Sequence, residues 1–354
     1  MDDRLLPMEP DDDPQAYAAV PSELLRPWIS GRFSVYVKKS GHFVLYAGKG
    51  GAYTRDHRHR LRQLGVDTVF ILRAEISGYE RYLRESLSEI LRDESIPMER
   101  RAEAWYSASA SVAKDVLSEK LPKPLSKMRY NQIERMVRES VGFFKTPDAL
   151  KNLVRLMSKG YQDYHHGMSV MVLTAFTIQE SGVEDDELLV KCGIGAILHD
   201  LGKVGVPRSI LDKNRDSLSA EEHEIYRSHP SLGVGLCVSL PLPIETFHCI
   251  LFHHEQEDGK GFPSRLPPEA IPMYVKALSV CNVYDRLTRA TAYRPAYTPY
   301  EALRKIETRK EAFNVNMIKR LIRVLSNAEA LPRDAAKSSA KGPPRRKKKT
   351  PEIR

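Results

Sequence analysis

The sequence predicts a mainly α-helical protein, a bundle of helices preceded by a small α/β domain. Two observations carry that prediction. From Met128 onward apolar residues recur every three or four positions, the spacing of helices that bury one face. Upstream, residues 33–37 and 42–47 alternate polar and apolar side chains around Lys39, Ser40 and Gly41, as the two arms of a hairpin do.

Taken in order, residues 1–28 are rich in Pro and Asp and are expected to be flexible. Residues 29–95 form the α/β domain, with the hairpin, a turn at 48–51, a basic helix start carrying His57 and His59, a strand at 66–72 and an amphipathic helix at 79–91. The AGKGG run has neither the spacing of a phosphate-binding loop nor an apolar helix after it. No acid, base or ligand set converges in this part, so it reads as a regulatory or dimerising module. Residues 96–145 form a helical connector, with helices at 98–121 and 130–144 separated by Pro122 and Pro124. Residues 146–328 form the main helical domain, with helices at 147–159, 164–180, 185–199, 220–229, 232–240, 244–254, 271–288, 300–306 and 316–325. Gly259, Gly261, Pro263, Pro267 and Pro268 interrupt residues 258–272, which must be a structured loop. It follows His253 and His254 directly, where a substrate would arrive.

The 354 residues are 42% hydrophobic and 29% charged, the composition of a globular protein. No run approaches the roughly 20 apolar residues that span a bilayer. The acidic start, MDDRLLPMEPDDD, is unlike an export signal, so a cytoplasmic location is expected. Cys192, Cys237, Cys249 and Cys281 show no CxxC pairing and indicate neither a disulfide framework nor a thiolate zinc site. The net charge of +9 suggests nucleic acid at first sight, but residues 331–354 hold nine basic residues against two acidic ones. Basicity is therefore concentrated in a disordered tail, residues 329–354, which can touch acidic surfaces.

His199 and Asp200 open the run HDLGK after an apolar helix. Adjacent His and Asp can give one imidazole and one bridging carboxylate to a metal centre, a donor pair suited to divalent ions in hydrolysis. His166, His229, His253 and His254 complete a ligand set for two ions bridged by Asp200, about 3.5–4 Å apart, the spacing used for in-line displacement at phosphorus. The mixed N/O donors favour iron or manganese over zinc. Lys203, four residues after His199, falls on the same face if the helix continues and can neutralise a phosphoryl oxygen.

HHGMSV, LLVKCGIGAILHDLGKVGVPRSIL, LSAEEHEIYRSHPSLG, HHEQEDGKGFPSRLPPEAIP and ALSVCNVYDRLTRATAYRP follow one another as in the HD-GYP family, a subset of the HD-domain metal hydrolases. The resemblance covers roughly residues 145 to 325. It implies an HD-type helical bundle with a two- or three-metal centre that degrades cyclic di-GMP, a bacterial signalling molecule, to pGpG or GMP. By position it implies a first metal held by His166, His199, Asp200 and Asn282, and a second held by Asp200, His229, His253 and His254. Asp200 and Lys203 would serve the chemistry, while Lys203, Phe262 and Arg294 would meet the nucleotide. Glu255 and Asp285 are expected to orient ligand imidazoles from behind.

The chain departs from the family at four points. Phe262 replaces the Tyr of GYP, Asn282 the first Asp of DxxDAL, and Thr291 the Arg of the RPY triplet. Gln162 stands where some members have a carboxylate for a third metal. Asn282 supplies an oxygen but no charge. The leading expectation is a binuclear phosphodiesterase of cyclic di-GMP. The alternatives are a weakly active or inactive cyclic di-GMP sensor and a hydrolase of another nucleotide. A homodimer, and a signalling partner bound through the N-terminal domain, are the expected protein contacts.

Overall fold

Strand pairing starts earlier than the sequence suggests. In the computed structural model, which describes residues 13–27, 29–30, 32–117, 123–157 and 163–331, the first strand is β1 (Tyr17–Pro21). Its two alanines give little contrast between faces, which hid it in a stretch expected to be flexible. Five strands follow: β2 (Ile29–Ser30), β3 (Val35–Lys39), β4 (His42–Ala47), β5 (Ala52–Tyr53) and β6 (Thr68–Leu72). They make an antiparallel sheet in the order β1-β6-β3-β4 and a separate β2-β5 pair. Residues 1–12 of the N-terminal segment, Gln162 and tail residues 332–354 lie outside the described residues.

Between β5 and β6 runs α1 (Arg55–Gln63). His57 closes a capping box with Thr54, its Nδ1 accepting the Thr54 N–H at 3.0 Å, so its task is to start the helix. One sheet face buries Val20, Val35, Val69 and Ile71, and Phe33 meets the rings of Tyr79 and Tyr82 from α2 (Ile76–Arg92) edge to face.

Helix α3 (Met98–Leu117) buries Ala102, Ala104, Ala108, Ser109 and Ala113, small residues that let neighbours approach. It packs on α2, on α4 (Lys127–Phe144), on α5 (Ala149–Met157) and on α6 (Asp163–Gln179). Trp105 is fully buried and donates its indole N–H to Ser140 Oγ of α4 at 2.7 Å. The rest of the bundle is α7 (Asp186–Leu198), α8 (Arg208–Leu211), α9 (Ala220–Arg227), α10 (His229–Leu236), α11 (Ile244–Phe252), α12 (Met273–Leu287), α13 (Pro299–Glu307) and α14 (Val315–Asn327). Met168, Val170, Met171, Val172 and Leu173 of α6 are all buried, as are nine residues of α7, so these two helices form the centre of the bundle. α6 contacts α7, α12 and α14, and α7 contacts α4 and α11. One continuous apolar cluster runs from Val20 to Leu331, so sheet domain and bundle share a core. Among the described residues no helix is long and apolar enough to cross a membrane.

Candidate metal centre

Helix ends build the site. α7 stops at Leu198, α9 at Arg227 and α11 at Phe252, and a histidine follows each within two residues. The last carbonyls of a helix lack intrahelical donors. His199 Nδ1 meets Ala196 O at 2.7 Å, His229 Nδ1 meets Tyr226 O at 2.6 Å and His253 Nδ1 meets Ile250 O at 2.8 Å. A carbonyl can only accept, so each Nδ1 carries the proton and each Nε2 presents a lone pair. The negative ends of the α7 and α11 dipoles also meet here, which favours a cation.

The chain after α7 does not continue as α-helix. Leu201–Gly205 forms a 3-10 turn, and Lys203 pairs with Asp200 by proximity in that turn. Gly202 permits the turn to lie on α10, since a Cβ there would sit 1.9 Å from His229 O and 2.5 Å from Gly233 N. Gly195 does the same for α7 on α11, where a Cβ would come within 2.3 Å of Cys249 Cβ. These two contacts bring Asp200, His229 and His253 together.

Asp200 divides the ligands into two groups. Its Oδ2 lies 3.5 Å from His166 Nε2 and 3.4 Å from His199 Nε2. Its Oδ1 lies 3.4 Å from His229 Nε2 and 3.7 Å from His253 Nε2. Donor atoms of Asp200, His229, His253 and His254 all fall within 4.8 Å of one another, as do those of His166, His199 and Asp200.

The donor atoms fit divalent ions. His166 Nε2, His199 Nε2, Asp200 Oδ1, His254 Nε2 and Asn282 Oδ1 are buried and lack any hydrogen-bond partner. Orphaned buried polar atoms are costly, and the four on His166, His199, Asp200 and His254 belong to the two groups that meet at Asp200. His229 Nε2 and His253 Nε2 stand 3.2 Å apart with both Nδ1 atoms already donating. Two lone pairs at that distance repel, whereas ligands at about 2.0–2.1 Å from one ion come this close.

Burial works against charge on Asp200, but the neighbouring His199, Lys203 and His166 side chains hold its carboxyl well below the usual range. Burial, followed by neighbouring imidazoles, pushes His253 and His254 well below the ordinary histidine value. Burial also lowers His229. These three are neutral at physiological pH, the form that ligates metal. Burial opposes charge on His166 too, but Asp200 and Asp285 outweigh it and raise its pKa.

Asp285 sits behind His166, its Oδ2 2.6 Å from His166 Nδ1. Asn282 lies one turn earlier on the same face of α12 and is buried. Glu255 has a different task from the one expected: its carboxylate accepts the backbone N–H groups of Ser264 at 2.6 Å, Arg265 at 3.1 Å and Leu266 at 2.9 Å. It holds the loop after His254. Phe262 from that loop stacks on His254, centroids 4.5 Å apart. Arg294 turns inward, donating to the carbonyls of Arg286, Leu287, Arg289 and Pro295. It thereby caps α12, and Lys203 likewise points to Asp200 and not to open space.

Sequence reasoning missed Tyr226 and Arg289. Tyr226 supplies the carbonyl for His229 and packs its ring 5.0 Å from that imidazole; its position three residues before His229 was the available signal. Arg289 bonds both Asp285 and Ser169, and no motif marks it.

The HD domain family matches residues 142–315, which include every ligand named above. A cyclic di-GMP phosphodiesterase of Pseudomonas aeruginosa is 31% identical over 168 residues, 47% of this chain and 40% of that protein. Another from Vibrio cholerae is 40% identical over 119 residues, 32% of this chain and 23% of that protein. The chain therefore spans less than half the length of either relative. The structure of the HDG"Y"P protein Bd1817 of Bdellovibrio bacteriovorus overlays 88% of this chain and 99% of its own, with TM-score 0.61 and 22% identity, which shows a shared fold. Family match and the ordered ligands agree that residues 142–315 form an HD domain, with a small sheet domain on its N-terminal side.

Proposed function

We propose that the protein is a metal-dependent phosphodiesterase of cyclic dinucleotides, with cyclic di-GMP as its substrate and pGpG or GMP as product. One observation carries the reading: the two oxygens of Asp200 face two separate histidine groups whose Nε2 atoms are free to ligate. Iron or manganese suits this donor set. When bound, such a pair supplies positive charge and an activated water for in-line attack on phosphorus. The chain's own residues do the remainder. Asp200 fixes the two groups relative to each other, and the helix-end carbonyls fix the tautomers. Lys203 rests on Asp200 and can transfer its ammonium to a phosphoryl oxygen. Phe262 and Tyr226 wall the second group with apolar surface. The names of the relatives support the substrate class.

A second reading has one observation in its favour. Asn282 brings a neutral oxygen where a carboxylate would bring charge, so the first group binds metal less tightly and the protein can act as a cyclic di-GMP sensor with little turnover. Metal content of anaerobically prepared protein, with product analysis on cyclic di-GMP and other cyclic dinucleotides, separates the two. About two ions per chain with linear product supports the enzyme. Tight binding without product supports the sensor, and neither binding nor product rejects both.

A further inference from the structure

Lys203 is neutralised by Asp200 and Arg289 by Asp285, but two guanidinium groups beside the centre have no carboxylate. Arg215 lies in the 3-10 turn Arg215–Ser217 ahead of α9, and Arg286 lies on α12. Both reach the Tyr226 hydroxyl: Arg215 Nη2 bonds it, and Arg286 Nη1 lies 3.2 Å away. Arg215 also covers the Tyr226 ring, 4.3 Å from its centroid. Among the described residues neither guanidinium makes an ion pair.

The Tyr226 hydroxyl gives these cations a dipole but no carboxylate charge. Two partly buried like charges on one shared acceptor repel each other, and a single hydroxyl replaces only part of their lost hydration. An anion seated between them removes both penalties, and paired guanidinium forks match phosphate geometry. The place is also specific. The Tyr226 ring lies 5.0 Å from His229, 6.1 Å from His254 and 6.4 Å from Phe262, against the second ligand group. Arg286 occupies the Ala position of DxxDAL, in a chain whose RPY arginine is Thr291.

We infer that Arg215, Arg286 and the Tyr226 hydroxyl form an anion subsite that holds the non-reacting phosphate of a cyclic dinucleotide while the other phosphate meets Asp200. The inference rests on the proposed phosphodiesterase reading. The subsite selects substrates with two phosphates on one ring, because a single-phosphate diester leaves it empty.

The test compares metal-loaded full-length protein with Arg215→Met, Arg286→Met and Arg286→Lys. The readout is the ratio of kcat/KM for cyclic di-GMP to that for bis(p-nitrophenyl) phosphate. Each Met variant should lower the ratio at least about tenfold, mostly through KM, as loss of one charged phosphate contact does; Arg286→Lys should keep part of it. A ratio equal to wild type overturns the inference, since a merely structural role lowers both substrates together. A parallel arm measures Tm against inorganic phosphate at constant ionic strength. Phosphate should raise the Tm of wild type more than that of the Arg215→Met/Arg286→Met double variant, and equal rises overturn the subsite. Wild type that hydrolyses no cyclic dinucleotide defeats the phosphodiesterase reading, and the phosphate arm then decides the anion subsite by itself.

Discussion

Asp285→Asn tests whether the first ligand group depends on the carboxylate behind His166. Asp285 Oδ2 lies 2.6 Å from His166 Nδ1 and also takes the Nε–H of Arg289, while its Oδ1 lies 3.3 Å from Arg289 Nη2. Burial disfavours its charge, but His166 and Arg289 outweigh burial and hold its pKa down. Asparagine keeps the volume and one acceptor, but its amide NH2 must face either His166 or Arg289, both of which donate. An NH2 in the Oδ1 position loses the Arg289 Nη2 bond and one in the Oδ2 position loses two, so at least one charge-assisted hydrogen bond goes, about 1.5–3 kcal/mol. Loss of an outer partner of a ligating histidine typically costs about 10–100-fold in metal affinity, or about 1.4–2.7 kcal/mol. The two routes agree. Calorimetric titration of Mn2+ under anaerobic conditions, with metal per chain from mass spectrometry, should show one ion bound as in wild type and one weakened about 10–100-fold. Wild-type affinity at both, or equal loss at both, would refute the assignment of His166 and Asp285 to one group.

Asn282→Asp adds a carboxylate to the first group, so its metal affinity should rise and product formation with it; unchanged affinity in the same titration would mean that the orphaned Asn282 Oδ1 is not a ligand. Gly202→Ala forces its Cβ against His229 O and Gly233 N. It should cost about 1–3 kcal/mol in urea denaturation and empty the second group first, and a stable, fully metallated variant would contradict the packing argument. In the sheet domain, burial opposes charge on Asp93, but Ser95, Arg58 and Arg26 outweigh it and lower its pKa. A depressed carboxylate adds stability that is complete above the unfolded pKa of about 3.9 and is lost as pH falls through the folded value. The stability gap between wild type and Asp93→Asn should therefore be constant above about pH 5 and shrink below pH 4; a gap independent of pH in urea titrations would exclude the ion pairs as its source.

The helical half was legible because two of the ligand histidines directly follow an apolar helix, a signal that survives in one sequence. His199 after 188–198 and His253 after 244–252 show it directly. Sheet residues were harder to read. Tyr17 and Val20 are buried against β6, yet Ala18 and Ala19 between them blur the alternation that marks a strand. Glu255 was misread for a related reason. Its neighbour His254 suggests an imidazole partner, but the loop folds back so that three backbone N–H groups reach the carboxylate first. Arg294 likewise carries a side chain that suits a nucleotide, and only the positions of the α12 carbonyls reveal that its donors are committed. Such assignments depend on loop paths, which residue type and spacing do not determine.

The connector helix α3 is part of the core and not a spacer, and this bears on what the sheet domain can do. Its small buried residues let it touch α2 on one side and α5 and α6 on the other. On the α6 side, the Tyr106 hydroxyl lies 2.9 Å from His165 Nδ1, and the two rings stack with centroids 5.3 Å apart. His165 precedes His166, and burial lowers its pKa. A shift of α3 relative to α6 would have to break this contact or carry the backbone of His166 with it. Asp285 and Asp200 hold the His166 ring from the other side, so backbone displacement there changes the geometry of the first ligand group before that of the second. Packing therefore links the sheet domain, through α3 and α6, to the group of His166 and His199.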